Sequence, residues 1–192
     1  MLLADLFLLR DSPYRYASGP SISPLWMPLL LIATGSFYGY LVALFQKTAG
    51  VAIHGYAVEQ ISSTILFGGN IIAGILISLF FHGGVTLLVW LMARGVGGPG
   101  LLALLYRTSA FLLPLALPAL PYLAAKSVLP EGDPEHLLPL SGLYLPLAVY
   151  SLLSLGVGLF QMFRVTQQVT PLRCAIAVFL LLFFSYGVFL LV

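Results

Sequence analysis

The sequence has very little charge. Eight Lys or Arg and six Asp or Glu make up 7% of its 192 residues, whereas a soluble domain carries about 25% charged residues. Hydrophobic residues account for 60% of the chain, and the mean hydropathy is +1.06. So few charges cannot keep this much apolar surface in water. The composition excludes an ordinary soluble domain and predicts an integral membrane protein whose main partner is the lipid bilayer.

Cysteine and clustered basic residues are equally scarce. Cys174 is the single cysteine, so an internal disulfide and a site built from several thiolates are both excluded. The basic residues are scattered singly, which excludes a nucleic-acid-binding patch. Within its apolar run, Cys174 is predicted to be a small packing residue.

Catalytic patterns are also missing. The sequence has no His/Glu pair at metal-ligand spacing, no nucleophile elbow and no carboxylate in the interior of any predicted span. The glycine-rich stretch 95–100 lacks the Lys-Ser/Thr that follows in a phosphate-binding loop, and no strand precedes it. We therefore predict a protein that is not an enzyme and that has no catalytic residues, metal or cofactor.

Apolar runs long enough to cross a bilayer, which takes about 20 residues, are present in the chain. They predict one polytopic domain over 1–192, an all-α bundle of about five transmembrane helices. The segment from Met1 to Leu9 is too short to cross and is predicted to be an interfacial helix. The five predicted spans lie near 24–46, 64–92, 101–128, 138–163 and 171–192.

The basic residues predict the orientation of these spans. Lysine and arginine are more frequent in the cytoplasmic connections of membrane proteins than in the outer ones. Six of the eight basic residues fall at the N-terminus or near the second and fourth connections, and Lys47 and Lys126 fall on the other side. The asymmetry favours a cytoplasmic N-terminus, with the acidic connection 130–139 outside. A bacterial inner membrane fits this layout.

Polar and small residues recur along the second span. Asn70, Gly74, Ser78 and His82 are spaced by four, which places them on one slowly drifting helical stripe. Such a stripe either packs closely against a neighbouring helix or lines a polar cavity with His82 as a titratable group. We favour packing, because no acidic residue in any span offers the histidine a partner.

Other spans carry similar candidates. Gly35 and Gly39 form a GxxxG pair in the first span, and Gln161 shares a face with serines and a glycine in the fourth. Pro114 and Pro118, followed by Pro121, are predicted to kink the third span, either for packing or to open a substrate site at a broken helix.

Two stretches resemble the Yip family of Ypt/Rab-interacting membrane proteins and their prokaryotic relatives. The first runs from Gly97-Gly98 through Tyr106-Arg107-Thr108-Ser109-Ala110 to the three prolines of the third span. The second comprises Gly156 to Phe163, Gln167-Gln168 and Arg173-Cys174-Ala175. The resemblance implies five spans with the N-terminus inside. Only about 23 residues precede the first span, which indicates a compact prokaryotic-type member and not one that binds GTPases through a long N-terminal region.

Together these features predict a non-enzymatic scaffold or accessory subunit that associates with other membrane proteins or with itself. The alternative is a small-molecule transport subunit, whose substrate pocket the stripe and the kinked span would line. An accessory subunit of a larger respiratory or photosynthetic assembly is a third interpretation.

Overall fold

The computed structural model describes residues 2–19, 23, 25–53, 55–129, 138 and 140–191. Within these residues the chain is helical, and an isolated bridge between Ile53 and Tyr56 is the nearest approach to a strand. The helices are α1 (Leu2–Phe7), α2 (Ser12–Ser18), α3 (Trp26–Ala49), α4 (Ser63–Gly95), α5 (Leu102–Ser109), α6 (Leu113–Ala116), α7 (Leu120–Val128), α8 (Tyr144–Gln167) and α9 (Pro171–Leu191).

Among the residues that the structure describes, four helical segments are long and apolar enough to cross a membrane. They are Trp26–Ala49, Ser63–Gly95, Leu102–Val128 and Ser141–Gln167. The all-helical class predicted from composition is therefore confirmed for the described chain. The helix α9 follows them with 21 residues.

The third segment is continuous but irregular. It consists of α5, α6 and α7, joined by 3₁₀ turns at Ala110–Leu112 and Leu117–Ala119. Pro114 lies within α6 and Pro118 within the second 3₁₀ turn. Each proline lacks a backbone N–H donor and crowds the preceding turn. The segment therefore contains tighter 3₁₀ turns and is not one regular α-helix.

Some boundaries differ from the sequence-based prediction. The helix α8 continues to Gln167, beyond the predicted end of the fourth span at residue 163, so the connection to α9 is non-helical only at 168–170. A second short N-terminal helix, α2, was not predicted. Pro24 at the predicted start of the first span, residues 130–137 and 139 of the predicted outer connection, and the terminal Met1 and Val192 lie outside the described residues.

The chain forms two compact units. Unit 1 comprises Met1–Leu30, Phe81–Leu115 and Leu153–Val192. Its core holds Leu6, Tyr14 and Ala17 from the N-terminal helices together with residues of α4, α5, α8 and α9, among them Val89, Leu105, Phe163 and Cys174. The N-terminal helices therefore bury side chains in this core, and Cys174 is a buried packing residue as predicted.

Unit 2 comprises Leu31–Phe80 and Ala116–Leu152. One cluster includes Leu41 and Phe45 of α3, Ala124 of α7 and Tyr144 of α8, with the rings of Phe45 and Tyr144 stacked 5.7 Å apart. A second cluster joins Ala43, Val58 and Leu66. Apolar side chains from helices distant in sequence thus fill the interior of this unit.

Candidate functional site

The first half of the predicted stripe lies against α3 in unit 2. A Cβ added at Gly35 would lie 2.6 Å from the carbonyl oxygen of Gly74, and one added at Gly39 would overlap the carbonyl oxygen of Asn70. The two helix backbones are thus in direct contact, which only glycine permits. The Asn70 amide donates to Gln46 Oε1 at 3.0 Å and to its own helix at Leu66 O.

The other members of the stripe are buried separately. The Ser78 hydroxyl has no hydrogen-bond partner in the described part of the chain. In unit 1, His82 Nε2 lies 3.1 Å from the carbonyl oxygen of Tyr106, and the two rings are 4.8 Å apart between centroids. Four residues later, Thr86 hydrogen-bonds Ser109 at 3.0 Å. The polar groups of α4 at this level are therefore paired with α5.

The remaining sequence candidates do not join the stripe as one group. Pro114 is buried in unit 1, whereas Pro118 is half-buried in unit 2. Gln161 is half-buried on α8 in unit 1. The stripe, the prolines and Gln161 are thus distributed over both units and do not form one site.

A different constellation lies where α4 ends, and the sequence did not reveal it. Gly98 N donates to Ala93 O at 2.9 Å and Gly97 N to Arg94 O at 3.1 Å. Gly97 has a φ of +82°. This is the Schellman arrangement that terminates helices, with glycine in the left-handed position. It turns the chain sharply toward Gly100.

Two side chains then hold the loop. The buried Gln167 at the end of α8 accepts a hydrogen bond from Gly100 N through its Oε1 at 3.0 Å, and Trp90 Nε1 donates to Gly100 O at 2.8 Å. A Cβ added at Gly98 would lie 2.6 Å from Gln167 Oε1. The glycines let the loop lie directly on the glutamine, so the loop is fixed by contacts 67 residues apart in sequence.

Unit 1 has an excess of positive charge, all of it from arginines. Unit 1 contains six arginines and two aspartates, a net charge of +4. Both aspartates are paired: Asp5 with Arg10 at 3.0 Å and Asp11 with Arg15 at 2.7 Å. Within the described residues the other four arginines form no ion pair. They are Arg94, Arg107, Arg164 and Arg173.

The N-terminal helices and their junction supply the only acidic residues in the sequence of this unit. Hydrogen bonding from Arg15 lowers the pKa of the Asp11 carboxyl, so this carboxyl is ionised at neutral pH. Its ion pair is with Arg15. Burial raises the pKa of the Tyr14 hydroxyl, which therefore stays neutral. The Asp11 carboxylate also attracts Arg164 from beyond ion-pair distance, whereas the neutral Tyr14 hydroxyl compensates no charge.

Comparison with known proteins yields no assignment. No protein-family model, no curated protein and no solved structure matches the chain.

Proposed function

We propose that the chain is an integral membrane protein with five crossings, in which α9 is the fifth. A helix of 21 residues rising about 1.5 Å per residue spans the roughly 30 Å of a bilayer core. Large apolar side chains project outward from several of the long helices: Phe80 is 77% exposed, Ile65 69% and Phe179 67%. Lipid chains would cover these side chains at no hydrophobic cost.

We propose further that the N-terminus is cytoplasmic, in a bacterial inner membrane. All six basic residues of unit 1 fall on the predicted inner side, and both lysines of unit 2 fall on the outer side. In a Cys174→Ser background, Asp133→Cys should react with a membrane-impermeant maleimide in intact cells. Gln168→Cys should react only after permeabilisation. The reverse pattern would invert the orientation, and Cys174→Ser alone gives the background.

Within the membrane, we propose a non-enzymatic scaffold or accessory subunit that associates with other membrane proteins or with a second copy. The supporting observation is a set of open glycines on α4. A Cβ added at Gly68, Gly69, Gly83 or Gly84 would meet no atom of the described residues within 4 Å. Each glycine costs a helix interior about 1 kcal/mol relative to alanine, and within the described chain no packing contact offsets that cost. In membranes, small residues let a second helix approach.

The transport alternative has less support from the geometry. A substrate pocket needs polar groups that face open space, whereas Asn70 and His82 are already hydrogen-bonded within the chain. Membership of the Yip family stays a proposal consistent with a scaffold of this kind.

Leucine at an open glycine tests the scaffold proposal. Gly84→Leu should leave the fold intact, since a Cβ added there meets no atom of the described chain. It should weaken association with partner helices about tenfold or more, because close approach at this face is blocked. Photocrosslinking in native membranes, followed by mass spectrometry of the adducts, measures the association.

The matched control is Ala175→Leu, which enlarges an exposed small residue on a different helix. It should retain the wild-type crosslinks. If a folded Gly84→Leu protein forms the same adducts in the same yield, or if the wild-type chain crosslinks only to lipid, the scaffold proposal is wrong.

A further inference from the structure

A cleft lies beside the glycine loop at the end of α4. It is lined by Gly95, Val96 and Gly97 on one side and by Arg173 and Ile176 of α9 on the other, with a volume of about 440 Å³. Volumes of this order are typical of small-molecule sites. The cleft is thus large enough for a lipid headgroup.

One part of the cleft lining is positively charged and another part is apolar. Arg173 is exposed and forms no ion pair in the described part of the chain, and a Cβ added at Gly97 would lie 3.5 Å from its Nη1. The guanidinium therefore borders bare loop backbone and keeps its charge available. Val96 and Ile176 make the other part of the lining apolar. A ligand that fits this cleft is anionic at one end and hydrocarbon at the other.

The loop wall of the cleft is rigidly held. Gly97 stands in the Schellman turn that ends α4, and the loop beyond it is anchored to Gln167 and Trp90 through both backbone polar groups of Gly100. The position of this wall is set before any ligand arrives, so little ordering entropy is lost on binding.

The position of the cleft indicates that its anionic ligand is a lipid headgroup. Gly95 is the last residue of α4, and Arg173 lies in the first turn of α9. If these helices cross the bilayer as proposed above, their ends lie at the depth of the lipid headgroups. Arginine presents a planar fork of donors that matches two oxygens of a phosphate group. Basic pockets at helix ends on the cytoplasmic side suit anionic lipids.

We propose that this cleft binds the phosphate group of an anionic phospholipid through Arg173, with the acyl chains passing over Ile176. The inference rests on the proposed membrane location and adds a specific lipid partner to it. Nothing in it depends on the scaffold role.

Native mass spectrometry of the full chain in mild detergent tests the site, with phosphatidylglycerol and phosphatidylcholine as probes. The wild type should retain phosphatidylglycerol in preference to phosphatidylcholine. Arg173→Gln should weaken phosphatidylglycerol binding about tenfold, the effect of losing one charge-assisted contact. Arg173→Lys, which keeps the charge but loses the fork, should bind with intermediate affinity.

The matched control is Arg164→Gln, which removes an exposed arginine of the same unit that does not line the cleft. It should keep the wild-type preference. Equal losses in Arg164→Gln and Arg173→Gln would mean diffuse attraction and overturn the site. Full displacement of the lipid by inorganic phosphate would identify a soluble anion as the ligand and also overturn it.

Thermal unfolding of each variant separates a lost site from a lost fold. Since Arg173 is exposed, Arg173→Gln and Arg173→Lys should both leave the melting temperature unchanged. A chain that integrates into membranes but shows no lipid preference refutes the lipid site alone. A chain that does not integrate refutes the proposed membrane location.

Discussion

Gly74→Leu is expected to prevent the chain from reaching its folded state. A Cβ at this position would overlap the carbonyl oxygen of Gly35 and lie 2.8 Å from the backbone nitrogen of Gly39. These atoms belong to a helix backbone and cannot rotate away as a side chain can. The α3 and α4 helices would have to separate, so we expect a loss of at least about 3 kcal/mol, at the upper end of overpacking costs.

The measurement is the yield of monodisperse protein and its melting temperature in detergent. Gly68→Leu is the matched control, because it makes the same change six residues earlier on α4, at a position where an added Cβ meets no atom of the described chain within 4 Å. It should fold. A Gly74→Leu protein with the melting temperature of Gly68→Leu would show that the helix contact at Gly35 and Gly39 is not needed for folding.

The glycine contact also shows how far the sequence predicts this fold. The GxxxG pair in the first span and the four-residue stripe in the second each indicate a close helix contact, but neither pattern names its partner. The structure brings Gly35 and Gly39 against Asn70 and Gly74. Periodicity along one helix indicates which of its faces makes a close contact. Which helix it contacts depends on the turn between the helices and on the apolar clusters formed elsewhere.

The long helices follow from composition, because a membrane helix satisfies its own backbone and needs only an uninterrupted apolar run. Short elements carry a weaker signal. The seven residues of α2 mix polar and aromatic side chains, and the helix is held by the burial of Tyr14 and Ala17 in unit 1. Isolated helices of this length are unstable, so tertiary packing decides whether they form.

The contact between the glycine loop and Gln167 was missed for a related reason. The glycines at 95–100 fit no phosphate-loop pattern, and Gln167 stands in a stretch that looks like an ordinary polar joint. Their relation is a single hydrogen bond across 67 residues of sequence. Nothing local distinguishes this glutamine from Gln168, which is exposed. The role of the buried Gln167 side chain becomes evident only once its partner, Gly100 N, is known.

Gln167→Leu is therefore expected to release the glycine loop while the helices stay folded. Leucine has nearly the volume of glutamine but accepts no hydrogen bond, so the buried Gly100 N–H would be left without an acceptor. Leaving such a group unpaired costs about 1–3 kcal/mol. The loss is greater than for a surface change because Gly98 also rests on this side chain.

The expected result is a lower melting temperature together with faster hydrogen exchange of the amides at 97, 98 and 100. Gln161→Leu is the matched control, since it makes the same substitution on the same helix at a half-buried position outside the hydrogen bonds that hold the loop. Exchange in the loop should then stay at the wild-type rate. If Gln167→Leu and Gln161→Leu give the same exchange rates and melting temperatures, the glutamine does not hold the loop, and the rigid wall inferred for the lipid cleft has no support.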